Sequence, residues 1–246
     1  MNSATAEMRH DRKAPPTMSI GRLLVLAGLL LWALLVLFHP NPGEAGPYEE
    51  IKDVVDRWLL VHVGQLILTP LLFLAVWRLL DGLSSTAATV SRAALVVWTV
   101  FFSAYDAMQG VATGVLVRHA NGLAGEERDG VARAIDFLVN DSQLAGGVSA
   151  IWVVAAASWA IVAIGAAVAL HKAGAGKAVV AAACLSTAFA VHVAPAAIGL
   201  AALFVAGVLR ERQRTKSALG TPTVAATGSQ GGHVSASGKE SHERVG

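Results

Sequence analysis

"AVVAAACLSTAFAVHVAPAAIGLAALFVAGVL", Ala178–Leu209, contains no Asp, Glu, Lys or Arg and is well over the length that a single membrane crossing needs, because a hydrocarbon core of about 30 Å takes about 20 helical residues. Near its middle stands "HVAP", His192–Pro195. Proline and the residue before it both disfavour continued helix. The run therefore reads as two short spans, Ala178–Val193 and Ala194–Leu209, joined by a tight turn. One long helix kinked at Pro195 is the competing reading. The choice decides whether the chain crosses five times or six, and so on which side its C-terminal tail emerges.

Four further apolar segments precede this run: Ile20–Phe38, Trp58–Leu80, Ala93–Val117 and Gly146–Leu170. Composition agrees, with 54% hydrophobic and only 15% charged residues, against about 25% charged in a soluble domain. The expected fold is an all-α polytopic membrane protein. A disordered cytoplasmic tail is expected over residues 1–19, a six-helix transmembrane domain over 20–210, and a second disordered cytoplasmic tail over 211–246. From Ser217 onward the chain is rich in Gly, Ser, Thr and Ala without periodicity, which cannot build a core. The lone cysteine, Cys184, lies in an apolar stretch and offers neither a disulfide nor a Cys-based metal site. A net charge of +2 gives no reason to expect nucleic acid.

With six spans, 14 of the 19 Lys and Arg residues fall on one side. They occupy the N-terminal leader through Arg22, the loops holding Arg78, Arg92, Lys172 and Lys177, and the tail from Arg210. The opposite side holds Lys52, Arg57, Arg118, Arg128 and Arg133 beside ten acids. The positive-inside rule then makes both termini cytoplasmic. A five-span chain would put "RERQRTK", Arg210–Lys216, outside, which argues for six. The long polar leader before Leu23–Phe38, without a small-x-small cleavage site, reads as an uncleaved anchor rather than a signal peptide.

Two outer segments are amphipathic. In "PYEEIKDVVDRW", Pro47 suits a first helical turn, and Tyr48, Ile51, Val55 and Trp58 recur at helical spacing. In "EERDGVARAIDFLVND", Val131, Ile135 and Leu138 do the same. Both are expected on the membrane surface or as lids on the bundle. "NDS", Asn140–Ser142, reads as a helix N-cap.

The third span contains "FFSAYDAMQG", Phe101–Gly110. An aspartate within a membrane helix is costly, by about 2.5–3.5 kcal/mol on insertion scales, and faces the bundle interior. Thr99, Ser103, Asp106, Gln109 or Gly110, and Thr113 share its stripe. His62, Gln65 and Thr69 form a matching stripe on the second span. Counted at about 1.5 Å per residue, the two glutamines lie at similar depth, Thr69 lies near a mid-membrane Asp106, and His39 and His192 lie at the outer rim. No ionisable residue continues the stripe inward before Arg78. This reads as a blind pocket opening outward, with His62, Gln65, Asp106, Gln109 and His192 as candidate ligand-binding residues.

A structural role stands beside that reading. Gly110 and Gly114 form a G-x-x-x-G that permits close helix contact, and Asp106 would then fix helix register through Gln65, His62 or Tyr105. Two further functions are chemically conceivable: a membrane hydrolase using His62, Asp106 and Ser103, and a proton-coupled transporter switching on Asp106. Metal binding by His62, His192 and Asp106, or haem between His62 and His192, has suitable ligand types but no motif in support, so no metal or cofactor is expected. No G-x-S-x-G, phosphate-binding glycine loop or C-x-x-C is present. The expected function is non-enzymatic binding of a small molecule or lipid, or support of a partner complex. The expected partners are the lipid bilayer, that ligand, and a second copy of the chain.

"HPNP" after the first span, "RWLLVHVGQLILTPLLFLAVWRLLDGL" across the second, "FFSAYDAMQG" in the third and "HVAPAAIGLAALF" near the end resemble the uncharacterised small multi-pass membrane proteins of actinobacteria and related bacteria. The resemblance covers most of Leu23–Leu209 and neither tail. It implies a bacterial plasma membrane and brings no mechanism with it.

Overall fold

The computed structural model describes residues 20–40, 45–141, 143, 146–190 and 193–220. Residues 1–19, those from 221 onward, and His192 lie outside them, so the N-terminal tail, most of the C-terminal tail and one expected pocket residue have no counterpart below. Among the described residues there is no strand. The helices are α1 (Ile20–Leu37), α2 (Pro47–Ile51), α3 (Val55–Leu79), α4 (Thr86–Asp106), α5 (Thr113–Ala120), α6 (Gly125–Asp136), α7 (Ala150–Lys172), α8 (Lys177–Leu185) and α9 (Val193–Gly220). A π-helical turn, Ala107–Ala112, joins α4 to α5, a second follows α6 at Phe137–Asp141, and a 3₁₀ turn, Ser186–Ala190, follows α8.

Burial sorts these helices as a lipid-embedded bundle requires. On α1, Val25, Leu29, Trp32, Ala33 and Val36 are buried, while Leu23, Leu24, Leu30, Leu31 and Leu34 point outward. Ile67 and Leu74 on α3, Val96, Val97 and Val100 on α4, and Ile161, Ile164 and Val168 on α7 are likewise exposed. A continuous apolar exterior on this scale marks contact with a membrane or partner rather than water. Four helical stretches are long and apolar enough to cross a bilayer: Ile20–Leu37, Val55–Leu79, Thr86–Ala120 and Ala150–Lys172. Lys177–Ala190 is apolar but shorter.

Local sequence sets the boundaries. Ser85 Oγ accepts from the Ala88 N–H at 3.3 Å to cap α4, and Ser149 Oγ accepts from the Trp152 N–H at 3.3 Å to cap α7. The cap of α7 is thus Ser149 and not the "NDS" expected: Asn140 and Asp141 belong to the second π turn, and the Asn140 amide donates to Asp136 at 2.8 Å. Pro70 sits inside α3 without ending it; a proline removes one ladder hydrogen bond, which membrane helices tolerate when packed.

The apolar run of Ala178–Leu209 resolves into separate elements rather than one kinked helix, since α8 and its 3₁₀ turn pack side by side with α9. Gly199 permits this contact: a Cβ there would stand 2.3 Å from the Phe189 backbone nitrogen. The last helix also departs from the expected boundary at residue 210 and continues to Gly220. Glu211 explains the extension, because it pairs with Arg22 of α1 at 3.0 Å and with Arg214 at 3.2 Å.

Thr86–Ala120 forms one helical rod of 35 residues, about 52 Å at 1.5 Å per residue, and so outreaches a hydrocarbon core of about 30 Å. Around its far end the two amphipathic segments dock. Ile51 of α2, Trp58 of α3, Val117 of α5 and Ile135 of α6 form a small buried cluster with Tyr48, Val55 and Val131 against it. Tyr48 Oη donates to Asn121 Oδ1 at 3.2 Å, and Asn121 Nδ2 donates to the Lys52 carbonyl at 2.9 Å. The larger core lies among the spanning helices and centres on Trp32, Trp98 and Trp159.

Candidate ligand pocket

Trp58, His62 and Gln65 are spaced to share one face of α3, and that face meets the π turn. A π turn accommodates one residue more than the regular helix and is common where a helix carries a function; here Thr113 Oγ1 reaches back five residues to the Met108 carbonyl at 3.4 Å. Gly110 lets the two backbones close up, since a Cβ there would fall 2.1 Å from His62 Nδ1. Gly114 does the same one turn on, where a Cβ would meet Leu59 Cδ2 at 2.6 Å and Trp58 Cδ1 at 2.9 Å. Trp58 Nε1–H donates to the Gly110 carbonyl at 2.7 Å.

Within this contact His62 Nδ1 lies 2.7 Å from Asp106 Oδ1. On its other side, His62 Nε2 lies 3.2 Å from Nε2 of His39, which follows α1. A hydrogen bond between the facing nitrogens requires one proton between the two rings. Asp106, His62 and His39 therefore form a hydrogen-bonded chain along the pocket wall. Trp58 packs against both imidazoles, with ring centroids 4.5 Å from His62 and 5.1 Å from His39.

The chain opens on a cavity of about 460 Å³, within the range typical of small-molecule sites, about 300–1,000 Å³. Five of the six tryptophans, Trp32, Trp58, Trp98, Trp152 and Trp159, line it. Its base is aromatic and closed. Trp98 stacks on Phe102 at 5.0 Å, Trp159 meets Trp98 and Phe189 at 4.9 Å, and Phe189 meets Trp32 edge-on at 5.5 Å. Trp159 is held by donating to the Ser186 carbonyl at 2.8 Å. Between this base and Arg22, Arg78, Arg92 and Arg210 the described residues include no acid, base or histidine. The mouth is edged by Val139 and Asn140 of the second π turn, and Gln109 Nε2 donates to the Leu138 carbonyl at 3.0 Å, fastening that edge to the helix rod.

Two buried polar atoms on the cavity wall have no partner among the described residues: Asp106 Oδ2 and Trp32 Nε1. One is an acceptor and the other a donor. An orphaned polar group in an apolar wall costs about 1–3 kcal/mol, which a ligand or ordered water would recover.

His62, Gln65, Asp106 and Gln109 thus converge on one cavity, and spans two and three are neighbours. Of the partners considered for Asp106, His62 is the one used. Ser103 does not line the cavity, and the imidazole nitrogen that would activate a hydroxyl faces His39 instead. Among the described residues no group of three His, Cys, Asp or Glu side chains is arranged to hold a metal. Asp106 lies about 21 Å along the helix from Arg92, and His62 about 24 Å from Arg78. His39 and the tryptophans are wall residues that polar periodicity does not reveal. For the tryptophans the signal lay in their concentration within four apolar spans.

No protein-family model, curated protein sequence or solved structure matches this chain. The resemblance drawn from the sequence therefore rests on the quoted motifs alone.

Proposed function

We propose that the chain is a six-span protein of a bacterial plasma membrane, with both termini cytoplasmic. Its outward-opening pocket binds a small amphipathic molecule or lipid without transforming it. The observation that carries this reading is the pair of unpartnered wall atoms, Asp106 Oδ2 and Trp32 Nε1, in a cavity with an aromatic base. Their chemistry describes the ligand. Asp106 calls for a hydrogen-bond donor, best an amine, whose charge the aromatic faces also favour. Trp32 calls for an acceptor, and the aromatic base for an apolar body. The closed base supports binding over passage, and the arginine-rich end supports the assigned orientation.

The pocket's own tryptophans supply the assay. Protein in neutral-lipid nanodiscs is titrated with a medium-chain primary alkylamine, its alcohol and its carboxylate while tryptophan fluorescence is followed. Saturable changes are expected with the amine and more weakly with the alcohol, and Asp106→Asn should weaken the amine most. An equal response to all three chain types, or none that saturates, would refute the proposal.

A further inference from the structure

The end of the bundle remote from the pocket carries a second recess, formed where α1, α3 and α9 meet. Arg22, Arg78 and Arg210 line it with Glu211, and apolar side chains including Leu26 and Leu203 complete its walls. Arg214 approaches the same group from α9, donating to the backbone carbonyls of Arg78 at 3.2 Å and Asp81 at 2.8 Å. Four guanidinium groups therefore gather around one carboxylate, and Glu211 is already committed to Arg22 and Arg214. Arg78 Nη1 and Arg210 Nε are buried without an acceptor among the described residues. Buried guanidinium N–H groups without acceptors are unfavourable, and the four arginines with one glutamate leave the cluster three positive charges in excess.

We infer that this recess binds the phosphate group of an anionic phospholipid. Guanidinium N–H groups match phosphate oxygens in geometry and charge. The recess itself, about 30 Å³, admits one or two phosphate oxygens, so the rest of the phosphate and of the lipid lies outside it. Its position is also that of a headgroup. Arg22 stands in the first turn of α1 and Arg78 in the last turn of α3, at the edge of the apolar layer, and basic recesses between membrane helices at this level suit anionic headgroups. Val25 and Leu29 continue the wall toward the layer, where an acyl chain would run. The inference rests on the membrane reading and is independent of the ligand pocket, which lies about 24 Å away along α3.

The test compares the protein in phosphatidylglycerol and phosphatidylcholine nanodiscs by melting temperature, and by native mass spectrometry for lipid retained after release. Wild type should melt higher in phosphatidylglycerol and retain it in preference to phosphatidylcholine. Arg78→Gln and Arg210→Gln should each lower that preference about tenfold, as expected for loss of one charge-assisted hydrogen bond. Arg212→Gln removes the same charge from an exposed neighbouring position and should leave the preference intact. An equal loss in Arg212→Gln would mean diffuse surface attraction and overturn the site. Inorganic phosphate that stabilises the protein equally in phosphatidylcholine would assign the recess to a soluble anion and overturn the lipid. If the glutamine variants do not fold, wild-type retention decides: no preference for phosphatidylglycerol overturns the inference.

Discussion

The two oxygens of Asp106 have different surroundings, Oδ1 bound to His62 and Oδ2 buried without a partner among the described residues, so structural and binding roles can be separated by substitution. Asp106→Asn keeps an acceptor for the His62 N–H, and its melting temperature should stay near wild type while amine binding weakens. Asp106→Leu leaves His62 Nδ1 unpaired and should cost about 1–3 kcal/mol in stability, read as a lower melting temperature. Stability unchanged in both would mean that the aspartate and histidine do not pair. Gly110→Ala forces a methyl into the His62 ring and should cost about 1–3 kcal/mol by overpacking, again seen in melting. Much of this contact was legible in the sequence: the polar stripes at helical spacing and the G-x-x-x-G both point to it. His39 was not, because it follows a helix end, where periodicity stops and only the path of the chain decides which neighbours it meets.

Among the elements, the break within Ala178–Leu209 could be read from proline chemistry alone, and the two flanking helices do pack beside each other. The π turn could not be read, because nothing in "AMQGVA" distinguishes it from regular helix; it is stabilised by partners on α3 and by Leu138, remote in sequence. The extent of α9 was misjudged for a similar reason. Arg210–Lys216 looks like a solvated basic run until α1 supplies Arg22 as a partner for Glu211. Truncation after Arg210 should therefore lower stability by about 1–3 kcal/mol, whereas truncation after Gly220 should leave the melting temperature and yield unchanged. Equal effects of the two truncations would show that the last turns of α9 contribute nothing.

For the whole molecule, the asymmetry between an arginine-rich end and an acid-rich end predicts orientation. A reporter active only outside the cytoplasm should be silent when fused at Arg214 and strong when inserted within Glu126–Asp136; the reverse pattern would invert the topology and turn the pocket inward. The membrane class and helix content followed from hydropathy, while the cavity depended on how tryptophans from several helices meet, which no single segment encodes. The π turn bears on the cavity in another way as well. A π turn absorbs one extra residue by turning less per residue than the about 100° of an α-helix, so deleting one residue between Ala107 and Ala112 would restore a regular helix and leave Thr113 onward facing as before. Gly114 would still meet Trp58 and Leu59, and Val117 would still meet Ile51 and Ile135. Only the contacts made inside the turn, Trp58 to the Gly110 carbonyl and Gln109 to the Leu138 carbonyl, would change register, so one in-frame codon separates the cavity wall from a straight helix.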